Sequence, residues 1–229
     1  MKQKINIQII PNRQNAFIWF NVLFVATLLL TGETDAFSIV MAYFMETLII
    51  GAIHVVKMYR ILKYANTTGV KRTANNGGGM ILFFIVHYTF FVAIQSIFVF
   101  VLLEMKDPKI DPFSILQNIE HILTTYEGIY PILISLAIFN IADFYLNFIV
   151  PKAYQNITIE QSFLGPYGRI VVQQFAVILG FFFFIFSFAI DIVALLIVGI
   201  KALIDFYIVS NPEKNLFKGK IDFSKMKNP

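Results

Sequence analysis

The chain has 229 residues, 58% of them apolar and 14% charged, with 26 Phe, no Cys and a net charge of +4; its mean hydropathy is +0.72. Soluble domains carry roughly 25% charged residues, so this is a membrane composition with no room for a separate soluble domain. The lack of cysteine excludes disulfides, iron–sulfur clusters, thiolate metal sites and cysteine nucleophiles, and positive residues scattered among loops, with no aromatic–basic groove, exclude a nucleic-acid partner.

Crossing a hydrocarbon core of about 30 Å takes about 20 apolar residues. Six such spans are predicted, at residues 12–31, 36–62, 79–103, 128–150, 167–188 and 189–209. They make residues 1–229 one all-α, polytopic transmembrane bundle. The first follows a basic start that resembles a signal peptide. Residues 31–36 lack a small-x-small cleavage pattern, so the segment reads as a retained helix. On the second span Glu46, Ile50, His54 and Lys57 align along one side. Residues 65–79 read as a flexible cytoplasmic loop ending in Asn75-Asn76-Gly77-Gly78-Gly79, without the GxxxxGK[ST] spacing of a phosphate loop. The third span contributes His87 and, farther outward, Gln95.

Residues 104–127 form an outer loop. Asp111–Pro112 offers a capping pair, and Phe113, Leu116, Ile119, Leu123 and Tyr126 follow at helical spacing, which predicts an amphipathic surface helix. His121 in this loop is expected to be solvated. The fourth span carries a polar stripe of Asn140, Asp143 and Asn147, and the fifth presents Arg169, Gln173, Ala176 and Gly180 on one face. The sixth pairs Lys201 with Asp205 at i,i+4 spacing. Residues 171–209 are nearly unbroken apolar sequence, long enough for two crossings with a fold-back near residues 187–191. Residues 210–229 are a basic tail.

With these spans, fifteen Lys and Arg fall on one side, two on the other, and Lys201 lies within the sixth span. The positive-inside rule then puts both termini in the cytoplasm, as in a multi-pass protein of the cytoplasmic membrane.

Ionisable groups inside spans are costly, at roughly 2.5–3.5 kcal/mol on insertion scales, and usually face a bundle interior or a wet cavity. His54, His87, Asp143 and Lys201 each lie about eight residues from the predicted inner boundary, a depth of roughly 12 Å. Glu46 lies deeper, and Arg169, Gln173 and Asp205 shallower. Together they outline a funnel opening inward with a carboxylate toward its floor. Each residue also has a structural reading. Lys201–Asp205 can be a neutralised pair, Arg169 an interface marker, Asn140 and Asn147 interhelical hydrogen bonds, and the histidines satisfied core residues. Glu46 has no cation at i±3 or i±4, so it needs a partner from elsewhere or a proton.

Residues 46–57 (ETLIIGAIHVVK), 83–91 (FFIVHYTFF), 166–174 (PYGRIVVQQ) and 201–205 (KALID) are similar to segments of an uncharacterised prokaryotic family of six-helix integral membrane proteins, over most of the chain. Glu46, His87, Arg169, Lys201 and Asp205 fall in those segments. The family pattern often has Gly where this chain has Thr89, and a histidine where it has Gln174, which weakens histidine-based metal binding here. The resemblance implies no activity, substrate or cofactor.

Three functions fit these residues. The leading one is a cytoplasm-facing intramembrane pocket for transport or binding of a small solute or proton, lined by Glu46, His54, His87, Asp143, Arg169, Gln173, Lys201 and Asp205. No cofactor is expected, and the partners are the lipid bilayer and a protein partner or second copy. The alternative is a structural or assembly subunit whose buried polar residues pin helices together. A third is an intramembrane metalloenzyme using His54, His87 and a carboxylate. No GxSxG elbow supports nucleophilic hydrolysis.

Overall fold

Four residues separate the first two helices. Helix α1, Ala16–Thr31, ends at Gly32, whose left-handed backbone (φ 75°) lets the amide of Glu33 reach back to the carbonyl of Leu28 at 3.0 Å. That positive φ suits glycine, and the reach-back closes the helix as a Schellman turn. The Asp35 carboxylate then accepts the backbone N–H of Ser38 at 2.7 Å and opens α2, Ala36–Thr68.

In this computed structural model, residues 9–11, 15–69, 77–163, 165–167, 170–171 and 190–210 are described. They are helical, with no strand among them. The remaining helices are α3 (Gly77–Glu104), α4 (Ile115–Thr125), α5 (Ile129–Phe144), α6 (Ile159–Phe163) and α7 (Ile190–Ser210). A π-helical turn, Tyr145–Ile149, prolongs α5.

Three of these helices are long and apolar enough to cross a membrane, namely α2, α3 and the continuous stretch Ile129–Ile149. On α3 the exposed Leu82, Val86, Phe90, Ile94 and Phe98 recur every fourth residue and form one apolar stripe. A wholly apolar outward stripe on a long helix suits lipid far better than water. The predicted fifth span lies almost wholly outside the described residues.

Helix α2 is the centre of the fold, packing against α3, α5, α7, α6 and the short 3-10 turn Ala153–Gln155. Residues 36–44 are all buried. At Gly51 the ring of Tyr88 lies so close that a Cβ would overlap it, and the Tyr88 hydroxyl donates to the Thr47 carbonyl at 2.7 Å. The absence of a Cβ at this point of α2 is what allows this close approach.

Three boundaries differ from the sequence expectation. Helix α2 runs on to Thr68 and α3 starts at Gly77, so helix takes up both ends of the loop expected at 65–79. Packing explains the extension: Ala65 is buried and the Tyr64 ring meets Tyr154 edge-on at 5.7 Å. Helix α4 begins at Ile115 rather than at Asp111–Pro112. The Asp111 carboxylate accepts instead from the Phe113 amide at 3.1 Å and the Ser114 hydroxyl at 2.6 Å, which fixes a turn in place of a helix start. Phe113 and Leu116, expected on the apolar face of a surface helix, are 79% and 82% exposed. Ile119, Ile122 and Leu123 pack inward, and Tyr126 stacks on Phe37 at 4.1 Å.

Candidate functional site

The polar residues fall into separate groups, and the most buried one surrounds Glu46. This side chain projects from the middle of α2 and is 3% exposed. Its Oε1 accepts from Asn140 Nδ2 of α5 at 2.9 Å and lies 3.3 Å from Lys201 Nζ of α7. The same ammonium lies 3.1 Å from Asp205 Oδ2, one turn on, and 5.2 Å from the centroid of the Tyr43 ring. Tyr43 is one turn before Glu46, so α2 offers the cation both a carboxylate and an aromatic face. Lys201 is thus shared between two carboxylates on two helices. The partner Glu46 requires comes from 155 positions along the chain, and α2, α5 and α7 are joined through one oxygen.

A narrow cleft between α1 and α7 borders this centre. It is lined by Ile18, Asn21, Val22, Tyr43, Lys201 and Asp205, among others, and leaves about 10 Å³ for the centre of a water molecule. One buried water needs about 10–15 Å³ by that measure, so the cleft has room for one water and none for a metabolite.

His54 and His87 belong to a second group, where α3 and the α6 segment meet α2. His54 Nε2 lies 2.5 Å from the carbonyl oxygen of Ser162 and 3.3 Å from its hydroxyl. A carbonyl only accepts, so Nε2 carries the hydrogen and the ring is fixed in one tautomer. His87 Nδ1 is 2.7 Å from the Tyr167 hydroxyl, and its ring lies among Phe83, Phe91 and Tyr167 at centroid distances of 5.3, 5.0 and 5.4 Å. Among the described residues no three His, Asp or Glu side chains are arranged to hold a metal ion.

Asp143 stands apart from both groups. It is exposed and accepts from Asn147 Nδ2 at 2.9 Å, one turn along the same helix. Of the eight candidate residues, the structure brings together Glu46, Lys201 and Asp205, sets His54 and His87 in the aromatic group, and leaves Asp143 at the end of α5. Arg169 and Gln173 lie outside the described residues.

Asn21, Tyr43 and Asn140 complete the centre. The first two were not among the sequence candidates, although a lone Asn in the apolar run of α1 is a signal of the kind that marks interhelical contact. A third polar cluster lies at the α4 end. Asp107 Oδ2 accepts from His121 Nε2 and from the Tyr126 hydroxyl, each at 2.8 Å, and its Oδ1 accepts the Lys109 amide at 3.0 Å. His121 is therefore partly buried and bonded, where the sequence suggested a solvated side chain. Burial raises the Asp107 carboxyl, but the bonds from His121, Lys109 and Tyr126 together outweigh it and hold the group below its ordinary value. Tyr126 is pushed up to about 12 by burial and by its bond to Asp107.

Residues 6–219 match the family of unknown function DUF6498, and the chain belongs to that family. No curated protein and no solved structure matches it.

Proposed function

We propose that this chain is a polytopic protein of the cytoplasmic membrane, with six spans and both termini cytoplasmic, in which Glu46 exchanges a proton. Three helices long and apolar enough to cross support the membrane reading, and the fifteen-to-two division of Lys and Arg supports the orientation. The cysteine-free sequence permits a direct test. Single cysteines replacing Lys109 and Lys220 should react with an impermeant maleimide from outside and only after permeabilisation, respectively. Equal labelling of both in intact cells overturns the orientation.

The observation that carries the proton reading is the sharing of Lys201 between Glu46 and Asp205. An uncompensated buried charge costs several kcal/mol, which would normally forbid a buried carboxylate from losing its charge beside a fixed cation. Here, when Glu46 takes up a proton, Lys201 keeps a carboxylate partner in Asp205, and Asn140 can still donate to the neutral acid. Asp143 is the next carboxylate along the Asn140 face of α5. The one-water cleft favours a proton over a larger solute.

Purified protein in liposomes loaded with a pH-sensitive dye tests this. The expected result is dissipation of a pH gradient that falls at least tenfold in Glu46→Gln and survives in His87→Ala. Dissipation no faster than from empty liposomes, or equal rates in wild type and Glu46→Gln, overturns it.

One observation also favours a structural reading: a single Glu46 oxygen ties α2 to both α5 and α7. On that reading Glu46→Gln lowers stability or recovery of a copurifying protein while no flux exists in any variant.

A further inference from the structure

Asn21 of α1 is 8% exposed, and its Oδ1 is fully buried with no hydrogen-bond partner among the described residues. Leaving such an acceptor unpaired costs about 1–3 kcal/mol, and in folded proteins the great majority of buried polar atoms find a partner. The same side chain lines the cleft it shares with Tyr43, Lys201 and Asp205. Buried polar atoms that protein groups leave unpaired are what internal waters satisfy, given two to four polar neighbours and room for one molecule.

We infer that this cleft is a binding site for a single water molecule, held by Asn21, Lys201 and Asp205, and that it is the solvent link of the Glu46 centre. Water is the ligand class that fits on both counts. The room suffices for one molecule, and the lining offers an amide oxygen and a carboxylate as acceptors and an ammonium as donor. A bare cation would sit against Lys201, and an anion against Asp205; a neutral molecule that both donates and accepts suits all three. The site makes α1 the fourth helix attached to the centre.

The second half of the inference rests on the reading of Glu46 as a proton-exchanging group. A proton reaching the water passes to Asp205. Lys201 then gives one ammonium hydrogen to Glu46 Oε1 and takes the Asp205 proton in its place. One proton has entered, Glu46 holds it, and Lys201 and Asp205 end as they began. The route runs through the α1–α7 seam and bypasses His54, whose Nε2 is engaged with Ser162, and His87, whose Nδ1 is engaged with Tyr167.

X-ray radiolytic footprinting of the detergent-purified protein in ¹⁸O-water tests the site without reference to flux. Radicals formed from a bound water oxidise the side chain beside it, and Tyr43 is 2% exposed, out of reach of bulk radicals. Tyr43 should take up ¹⁸O at least fivefold faster than Tyr88, a buried tyrosine whose hydroxyl is bonded to Thr47. Asn21→Leu should abolish the difference by removing the acceptor, and Ala202→Val, which adds bulk at another residue of the cleft lining and keeps every polar group, should do the same if Asn21→Leu fails to fold. Equal labelling of Tyr43 and Tyr88 in wild type overturns the water site whatever the liposome assay shows. Labelling of Tyr43 with undiminished flux in Ala202→Val overturns the relay and leaves Glu46 exchange standing. Labelling without flux in any form overturns the proton reading while the water site stands.

Discussion

Glu46 and His54 stand eight residues apart on the same helix, both buried, and they are treated in opposite ways. Glu46 meets a cation from α7 and an amide from α5, and the cation is itself divided between two acids beside a water-sized cleft. His54 meets one backbone carbonyl in a bed of aromatic rings, with Phe84 at 5.2 Å. The first arrangement has two ways to stay neutralised when a proton arrives. The second has a single tautomer and one partner residue, Ser162. Burial alone therefore does not separate these two groups; the number of alternative partners does.

The largest effect should come from breaking the first arrangement. Lys201→Met leaves Glu46 without its cation, and removing one partner of a buried ion pair costs about 3–5 kcal/mol. Glu46→Gln keeps a neutral acceptor for Asn140 and Lys201 and should cost about 1–3 kcal/mol. Denaturant unfolding in detergent micelles measures both. Equal losses in the two variants would mean that Lys201 does not depend on Glu46, and the contrast with His54 would fall.

The packing around the second arrangement sets the next scale. Gly51→Ala pushes a methyl into the Tyr88 ring and should cost about 1–3 kcal/mol, the usual penalty for overpacking. His54→Ala removes the ring's contacts to the Ser162 carbonyl and hydroxyl, the carbonyl keeping the Gly165 amide at 3.0 Å, and His87→Ala removes one side-chain bond to Tyr167; each lost bond should cost about 0.5–1.5 kcal/mol. Neither histidine variant should change proton flux in liposomes. A flux loss in His87→Ala larger than its stability loss would join the two regions into one pathway.

Sequence reasoning reached some of this and stopped for definite reasons. Hydropathy located α2, α3 and α5 because each carries an apolar run long enough to be unmistakable. The Lys201–Asp205 pair was legible because i,i+4 neighbours share a helix face whatever the fold. The meeting of Glu46 with Lys201 was not, since helical spacing says nothing about which face of α2 turns toward α7. Depth was the quantity that misled. His54, His87, Asp143 and Lys201 share a predicted level, but level fixes only one coordinate, and the rotation of each helix sends His87 to Tyr167, Asp143 to the surface and Lys201 to Glu46. At α4 an Asp-Pro pair ahead of a helical stripe points to a start at Asp111, but the Asp111 carboxylate closes a turn and the helix begins at Ile115.

The smallest effect belongs to the polar cluster at the α4 end, which lies between α3 and α5 rather than on the long helices. Asp107 is held below its ordinary carboxylate value in the folded chain by the bonds from His121, Lys109 and Tyr126. A depressed folded-state value means that the unfolded chain binds the proton more readily. The stabilisation is therefore fully present above the unfolded carboxyl value of about 3.9 and is lost as pH falls through the lower, folded value. Asp107→Asn should lose about 0–1 kcal/mol at pH 7, where the stabilisation is fully present, and leave a shallower acid limb in melting temperature below about pH 4. Lys201→Met should leave that acid limb in place, because the bonds that hold Asp107 come from His121, Lys109 and Tyr126. If Lys201→Met flattened it as much as Asp107→Asn, the acid limb would belong to the buried carboxylates, and the α4 cluster would serve only to hold Tyr126 against Phe37.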